Sequence, residues 1–154
     1  MRVFRLAAAR FARSRKEAFS GQGGLQASAR WHTAGPAVVY AAQSLSLAAL
    51  EILVHLKQTN DLQPSRFFVA EIPEKFILMP PSYPARWQTE YRISRAFGDA
   101  WLKASEQPVL RVPSLIAPGE WNFLLNPLRR DFSLKWVIAG PSTYAFDHRL
   151  LEQS

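Results

Sequence analysis

The alternation of hydrophobic and polar residues predicts several short strands and a few helices. Short runs rich in β-branched and aromatic residues, bounded by proline, glycine or polar residues, are typical of strands. Such runs occur at Val3–Leu6, Ala37–Tyr40, Arg66–Ile72, Val109–Val112, Asn122–Leu125, Trp136–Ala139 and Thr143–Phe146. Helical patterns occur at Arg15–Phe19, within Ala41–Leu56 and at Ile93–Ala104. Because strands outnumber helices and the last third has no helical pattern, we predict an α+β fold with a mixed or antiparallel sheet.

The stretch Ala41–Leu56 contains one formally charged side chain, Glu51, among apolar residues that surround the predicted helix axis. A helix that is hydrophobic all round is normally buried, and an unpaired buried carboxylate is costly. Three environments therefore remain open for Glu51: a solvent-exposed edge, a pair with His55 one turn later, or a polar pocket. Gln43 and Ser44 are suitable capping residues at the start of this helix.

Glycine and proline predict the main connections. Ser20 to Gly24 is predicted to be a glycine-bearing loop, and Ile77 to Tyr83 a turn-rich connection with prolines close by. Gly98 is expected to weaken or interrupt the helix at Ile93–Ala104.

Length and composition indicate one folded domain, residues 1–154. A hydrophobic content of 48% excludes a disordered chain. The absence of cysteine excludes a disulfide scaffold, a thiolate metal site and a cysteine nucleophile, and it suits a reducing cytoplasm. No uninterrupted apolar run approaches the ~18 residues of a membrane span.

The net charge of +7 is concentrated near the N-terminus, where residues 1–16 include six basic residues and no acid. Three interpretations are open: a solvated strand and helix, a surface for an anionic ligand or acidic partner, and a targeting segment. The second interpretation includes a basic module that binds nucleic acid. It predicts an affinity that falls steeply with salt and does not depend on Glu51.

Several common kinds of site can be set aside. The segment Gly21–Gly24 lacks the lysine of a phosphate-binding loop. The three histidines are far apart in sequence, with no pair at helical spacing, so no metal site is predicted. Ser114, His55 and Asp99 supply the residue types of a hydrolase triad, but no nucleophile-elbow motif supports that assignment.

A series of short motifs resembles the RES-domain family, which is named for an arginine, a glutamate and a serine. The resemblance runs from about Val3 to about Arg149. Its motifs are, in order, Arg30-Trp31-His32, Val38-Val39-Tyr40, the segment from Ser44 to His55 around Glu51, Arg111-Val112-Pro113-Ser114 and Asn122 to Pro127. The chain departs from the family pattern at Ser28-Ala29, where Gly-Gly is frequent, and at His32, where asparagine is common.

The resemblance implies an ADP-ribosyltransferase-like fold and a bacterial toxin of a type II toxin–antitoxin pair that degrades NAD. NAD is then a substrate, phosphate is a candidate co-substrate, and no cofactor or metal is expected. The cognate antitoxin is expected to be of the Xre-like helix-turn-helix type, to block the active site and to contact DNA on behalf of the complex. A homodimer within that complex is a further expectation, whereas no membrane contact is expected.

Given this chemistry, each candidate residue has a functional role and a structural alternative. Glu51 is predicted to oppose positive charge on the ribose, and Arg30 to bind the diphosphate rather than stack on Trp31. Tyr40 either contacts the nicotinamide or is a core tyrosine. The remaining candidates are Ser114, as a ribose or phosphate contact or a turn serine, and Asn126, as a site residue or a turn residue before Pro127. Arg5 matches an early arginine of the family and is given no role.

The acceptor that attacks the ribose is left open by these residues. Phosphate would make the protein an NAD phosphorylase, and water would make it an NAD glycohydrolase. A protein acceptor would make it an ADP-ribosyltransferase.

Overall fold

The structure, a computed structural model, describes residues 1–56 and 62–150. Within these residues the chain forms one seven-stranded sheet and four α-helices. The strands are β1 (Arg2–Ala8), β2 (Val39–Ala42), β3 (Ser65–Glu71), β4 (Ile77–Leu78), β5 (Val109–Pro113), β6 (Trp121–Leu125) and β7 (Val137–Tyr144). The helices are α1 (Arg15–Ala18), α2 (Gln22–Gln26), α3 (Leu45–His55) and α4 (Tyr91–Ala104).

The strand order in the sheet is β4-β5-β6-β2-β1-β3-β7. The strands pair antiparallel, except that β4 and β5 are parallel. This arrangement of a mixed sheet with a few helices confirms the predicted α+β class. Among the described residues, no helix combines the length and apolar character required to cross a lipid bilayer.

The centre of the sheet is weakly paired. Within the described residues, β1 and β2 share one registered pair, Phe4 opposite Ala42. By contrast, β1 pairs with β3 along its whole length, from Arg2 opposite Glu71 to Ala8 opposite Ser65. The two central strands therefore separate on one side of Phe4, and the space between them is available for a cavity.

The two faces of the sheet carry different cores. One face carries a cluster that includes Val3, Val39, Phe68, Phe123 and Leu125, all 1% exposed or less. The opposite face carries an aromatic cluster around Trp31 and Trp101 and a smaller cluster beneath α3. These clusters bury most of the large apolar side chains, and apolar burial stabilises the fold. Trp31 and Trp101 are buried in the aromatic cluster and belong to the core.

Helix α3 begins at the predicted capping residue, since the Ser44 hydroxyl accepts a hydrogen bond from the Leu47 amide. Its inward face buries Leu47 and the adjacent small residues Ala48 and Ala49. The prediction that this helix is buried all round is wrong, because Leu50 and Val54 are 45% and 55% exposed. These two residues are one turn apart and mark an outward apolar face.

Two predictions about glycine are corrected. The segment predicted to be a loop at Ser20 to Gly24 includes the start of α2, which follows Gly21 in the left-handed region at φ 75°. Gly98 does not interrupt α4. The helix is continuous there, and a side chain at this position would collide with the carbonyl oxygen of Trp31. Glycine thus permits close packing of α4 against the segment that contains Arg30 and Trp31.

The two strands predicted at Trp136–Ala139 and Thr143–Phe146 are one strand, β7, which runs through Gly140 and Pro141. An edge strand tolerates proline because one row of its backbone amides has no strand partner. The register against β3 shifts between Phe67 and Ala70. A second correction concerns the predicted turn-rich connection, where Ile77 and Leu78 form the short parallel strand β4.

Candidate active site

The Glu51 carboxylate is held by two side-chain donors. The Asn122 amide nitrogen Nδ2 lies 2.6 Å from Glu51 Oε1, and the Ser114 hydroxyl lies 3.3 Å from the same oxygen. Hydrogen bonds to an ionised acceptor are stronger than those between neutral groups. Within the described residues, Oε2 of Glu51 accepts no hydrogen bond, so it is the oxygen that remains available to a ligand.

Strand register brings these donors to Glu51. Asn122 lies on β6 opposite Ala42 of β2 and opposite Val112 of β5. Ser114 follows β5 directly and is 4% exposed. Its hydroxyl oxygen also accepts a hydrogen bond from the Ala117 amide, so its single proton is free to be donated to Glu51. Of the three environments left open for Glu51, the pair with His55 is not formed, and the carboxylate contacts the polar side chains of Asn122 and Ser114.

Tyr40 and His32 form a second polar pair near Glu51. The Tyr40 hydroxyl lies 2.9 Å from Nδ1 of His32, and His32 is 2% exposed. Burial raises the pKa of the Tyr40 phenol. The negative charges of Asp99 and Glu51 act in the same direction, whereas the hydrogen bond with the backbone of Trp31 and the charge of Arg95 oppose them. The phenol therefore keeps its proton at neutral pH and is able to donate it to the imidazole nitrogen.

A cavity of about 730 Å³ opens where β1 and β2 separate. Its wall includes Arg5 and Ala7 from β1, Tyr40 from β2 and Ile52 from α3. The rest of the wall comes from Leu6, Ala8, Phe11, Glu17 and Ala18, from the segment between Ser20 and Ala29 except Leu25, and from His32, Val38, Leu56, Leu62, Gln63 and Ser65. The carboxylate among these residues, Glu17, pairs with Arg13. This volume lies within the usual range for sites that bind small molecules. Glu51 does not line the cavity, but its charge reaches the phenol of Tyr40, which does.

Arg5 places a cationic group in the cavity wall. Its guanidinium donates to the carbonyl oxygens of Ala18, Leu6 and Tyr40 through Nε and Nη1. Within the described residues, Nη2 makes no hydrogen bond and no carboxylate pairs with this cation. Desolvation lowers the pKa of Arg5 to about 10, so the side chain is charged at neutral pH. An unpaired and desolvated cation beside a cavity favours an anionic ligand.

Arg30 has a different environment. Its Nη1 donates to the carbonyls of Trp87 and Gln88 at 3.2 and 3.1 Å, and its guanidinium lies over the Tyr91 ring. Among the described residues, it neither contacts Glu51 nor lines the cavity. The predicted diphosphate contact of Arg30 thus stays a prediction, and the observed contacts anchor the segment before Trp31 to the start of α4.

The Asn126 side chain makes a turn contact, because its Oδ1 accepts a hydrogen bond from the Leu128 amide at 3.1 Å. It is 7% exposed and lies outside the cavity wall. The turn interpretation accounts for this contact, and a role for Asn126 in ligand binding stays a prediction. The residues considered for a hydrolase triad do not converge, since Asp99 accepts hydrogen bonds from Thr33 and Ser114 donates to Glu51.

Sequence reasoning assigned no role to three residues that the structure places in or beside the site: Arg5, His32 and Asn122. Asn122 and His32 were visible within the family motifs, yet their partners depend on strand register and on the fold of the glycine-bearing segment. Arg5 was visible as an early arginine, but its place in the cavity depends on the separation of β1 and β2. In the part of the chain that the structure describes, no group of three or more His, Asp or Glu side chains is suited to hold a metal ion.

The buried imidazole of His32 predicts a pH dependence of stability. Desolvation lowers the pKa of His32 below its usual value of 6.5, although the carbonyls of Gly24 and Ala27 and the charge of Asp99 oppose this effect and Arg95 adds to it. The unfolded chain therefore binds a proton at this residue more readily than the native protein does. Native stability attributable to neutral His32 is present above the unfolded pKa and is lost as the pH falls below it.

Replacement of His32 by asparagine, the residue common in the family, should remove this effect. We expect urea unfolding at about pH 7.5 and about pH 5.5 to show a smaller loss of stability on acidification for His32→Asn than for the unmodified protein. His55 and His148 are present in both proteins, so their contributions to the loss of stability on acidification cancel. Equal losses in the two proteins would contradict a buried, preferentially neutral His32.

Comparison with known proteins assigns the chain to a family. A family model described as the RES domain matches residues 2–147. The chain is 32% identical over 154 residues to the protein named Toxin Res of Yersinia enterocolitica, covering 97% of this chain and 99% of that protein. It is 35% identical over 156 residues to Toxin Res of Photorhabdus laumondii, covering 99% of this chain and 98% of that protein.

A third relative has a more specific name. The chain is 38% identical over 120 residues to the Prs ADP-ribosylating toxin of Sphingobium sp., covering 73% of this chain and 74% of that protein. The match to the family model over nearly the whole length, together with these relatives, confirms the resemblance found in the sequence. The chain belongs to the RES-domain family.

Proposed function

We propose that this protein is a toxin enzyme that consumes NAD by breaking the bond between nicotinamide and ribose. The acceptor is phosphate or water, which gives ADP-ribose-1″-phosphate or ADP-ribose together with nicotinamide. The observation that carries the proposal is the combination of an oriented carboxylate, Glu51, with a nearby cavity whose wall contains Arg5, a cation that pairs with no carboxylate of the described residues.

The chemistry needs little from the protein at the leaving group. Nicotinamide in NAD is cationic at its ring nitrogen, so it takes the electron pair of the breaking C–N bond and departs as a neutral molecule without protonation. Positive charge then develops on the ribose, and an oxygen of water or phosphate forms the new bond to the anomeric carbon. When water is the acceptor, it releases one proton to the solvent. A fixed negative charge beside the ribose stabilises this transition state.

The described side chains supply groups for each part of this task. Oε2 of Glu51 is the free acceptor for a ribose hydroxyl and the source of negative charge. Arg5 offers Nη2 to a diphosphate oxygen from the cavity wall. Tyr40 lines the cavity, its backbone carbonyl accepts a hydrogen bond from Arg5, and the charge of Glu51 reaches its phenol. Its ring and hydroxyl are suited to the nicotinamide–ribose end of the substrate.

A second candidate function is transfer of ADP-ribose to a protein. It is favoured by one observation, the name of the Sphingobium relative as a Prs ADP-ribosylating toxin. The two functions share the broken bond and differ in the acceptor. Under this alternative, Glu51 and Arg5 keep their roles, and a side chain of the target protein replaces water or phosphate.

The toxin names of the relatives also support a proposed antitoxin partner that covers the site in the cytoplasm. Leu50 and Val54 offer an exposed apolar face on the same helix as Glu51, and such a face suits a protein partner. In this proposal the antitoxin carries the helix-turn-helix module, so the complex binds DNA and this chain alone does not. A homodimer within that complex belongs to the same proposal.

The function is tested by incubating the purified chain with NAD, with and without phosphate, and separating the products. If phosphate is the acceptor, we expect nicotinamide and ADP-ribose-1″-phosphate only in the reaction with phosphate. If water is the acceptor, we expect nicotinamide and ADP-ribose in both reactions. A third reaction contains radiolabelled NAD and a bacterial lysate. A labelled protein band with little free ADP-ribose would favour the transferase.

The control is the same chain with Glu51→Gln, prepared in parallel to exclude a contaminating enzyme. Production of nicotinamide by the unmodified chain alone supports the proposal. If expression arrests growth while the chain yields neither nicotinamide nor labelled protein, NAD cleavage is not its activity.

A further inference from the structure

We propose that Asn122 is a positioning residue that fixes the Glu51 carboxylate with one oxygen bound to the protein and the other facing the substrate. This inference rests on the proposed function and adds to it a residue that orients the catalytic group. Glu51 would contact the ribose, and Asn122 would act through Glu51 alone.

The contact between Asn122 and Glu51 joins residues that are distant in sequence. At 2.6 Å the amide–carboxylate distance is shorter than the 3.3 Å distance from the Ser114 hydroxyl to the same oxygen. A carboxylate accepts hydrogen bonds and donates none when ionised, so Asn122 must present its NH₂ group to it.

Asn122 is well placed to orient Glu51 because its strand, β6, lies in the interior of the sheet. It is paired on both sides, with Ala42 of β2 and with Val112 of β5. Asn122 and Ala42 face the same side of the sheet, where Ala42 packs in the cluster beneath α3. Pairing on both sides fixes the backbone at Asn122, and a side chain carried on a fixed backbone orients its partner well.

The start of α3 is fixed to the same strand by independent contacts. The Gln43 amide donates to the Trp121 carbonyl at 2.9 Å, and the Gln43 side-chain oxygen accepts from the Trp121 amide at 3.1 Å. Ser44, which caps α3, donates to Glu120 at 3.2 Å. The helix backbone is therefore already anchored near β6, and the remaining freedom at Glu51 is rotation of its side chain. The bond from Asn122 removes that rotation.

The test compares two variants that remove the donor. Asn122→Asp keeps the shape and brings a second carboxyl group against Glu51, while Asn122→Leu removes the donor without adding charge. For both we expect kcat for NAD cleavage to fall about 10- to 100-fold, with KM within about threefold, since a misplaced catalytic group affects the reacting complex more than substrate binding.

The pH dependence of kcat distinguishes positioning from a structural role. Two carboxyl groups in contact cannot both ionise readily. The acidic limb of the profile should therefore move to higher pH in Asn122→Asp by about one unit or more, and by less in Asn122→Leu. Gln107→Glu is the matched control, because Gln107 also uses a side-chain amide to bind backbone carbonyls, at Lys75 and Ile77, outside the site. It should leave the acidic limb unchanged even if it lowers stability.

A measurement without turnover separates this inference from the proposed function. The carboxyl carbon of Glu51 is observed by NMR at neutral pH and is assigned by its absence in Glu51→Gln. We expect its chemical shift to change in Asn122→Leu relative to the unmodified protein, because the hydrogen bond from the Asn122 amide is lost. If the unmodified protein does not cleave NAD but the signal moves, the function fails and the orientation of Glu51 by Asn122 stands. An unchanged signal, or folded Asn122 variants with unchanged kcat and acidic limb, overturns the inference.

Discussion

Replacement of Glu51 by glutamine should lower kcat for NAD cleavage about 100- to 1,000-fold and leave KM nearly unchanged. Glutamine has almost the same volume, and its side-chain oxygen is able to accept the hydrogen bonds that Asn122 and Ser114 donate to Oε1. What is lost is the negative charge that opposes the charge developing on ribose in the transition state. Because the ground-state contacts are largely kept, the effect should appear in kcat.

The measurement is the initial rate of nicotinamide release over a range of NAD concentrations, with thermal unfolding recorded for each variant. Glu106→Gln is the matched control, since Glu106 is an exposed carboxylate in the connection between α4 and β5. It should behave like the unmodified protein in both assays. A folded Glu51→Gln variant with undiminished kcat would show that this carboxylate does not take part in the chemistry.

The sequence predicted the elements that depend on local information. Ser44 is the helix cap that its position before an apolar run predicts, and the short apolar run at Val109–Val112 marks a real strand. These features follow from interactions between residues close in sequence. The fold class followed from the same local patterns, because the ratio of strand to helix patterns is preserved in the structure.

The predictions that were wrong concern features that depend on contacts between residues distant in sequence. Helix α3 has exposed Leu50 and Val54 because the sheet covers one side of it, and the sequence alone does not show how many sides are covered. Gly98 was expected to weaken α4, but the Trp31 carbonyl packs against that position and makes glycine necessary. Propensity is a weak guide wherever tertiary packing determines the outcome.

The candidate site also combines features that local sequence predicts with features that depend on long-range contacts. Glu51 and Ser114 were chosen together from family motifs, and the structure brings them within hydrogen-bond distance. Asn122 lies in one of those motifs, but its side chain reaches Glu51 only because β6 pairs with both β2 and β5 in a particular register. Whether an arginine near the N-terminus is a surface residue or a ligand contact depends on the gap between β1 and β2. No local pattern encodes that gap.

The second large expected effect is on NAD binding. Arg5 and Arg30 are the two candidates for the residue that contacts the diphosphate. Arg5 lines the cavity with an unused Nη2, whereas the Nη1 of Arg30 is bound to the carbonyls of Trp87 and Gln88. We therefore expect Arg5→Gln to raise KM for NAD about 10- to 100-fold, the effect of removing a hydrogen bond between charged groups. Arg30→Gln should change KM much less if its observed contacts are its function.

The decisive measurement is NAD binding rather than turnover. Calorimetric titration in the Glu51→Gln background, where the substrate survives, gives Kd for Arg5→Gln and for Arg30→Gln on the same scale. Arg5→Lys tests charge alone, since lysine keeps the cation but not the planar group that binds two phosphate oxygens, and an intermediate Kd is expected. Thermal unfolding without NAD is recorded for each variant, because Arg5 also binds the carbonyls of Ala18 and Tyr40.

A ligand that neutralises Arg5 should also stabilise the native protein. NAD should therefore raise the unfolding temperature of the Glu51→Gln protein, and this increase should shrink when Arg5 is replaced by glutamine. A folded Arg5→Gln variant that binds NAD as tightly as its parent would remove Arg5 from the site. If Arg30→Gln alone weakened binding, the diphosphate would have to lie against α4, outside the cavity between β1 and β2, and the assignment of the two arginines would be reversed.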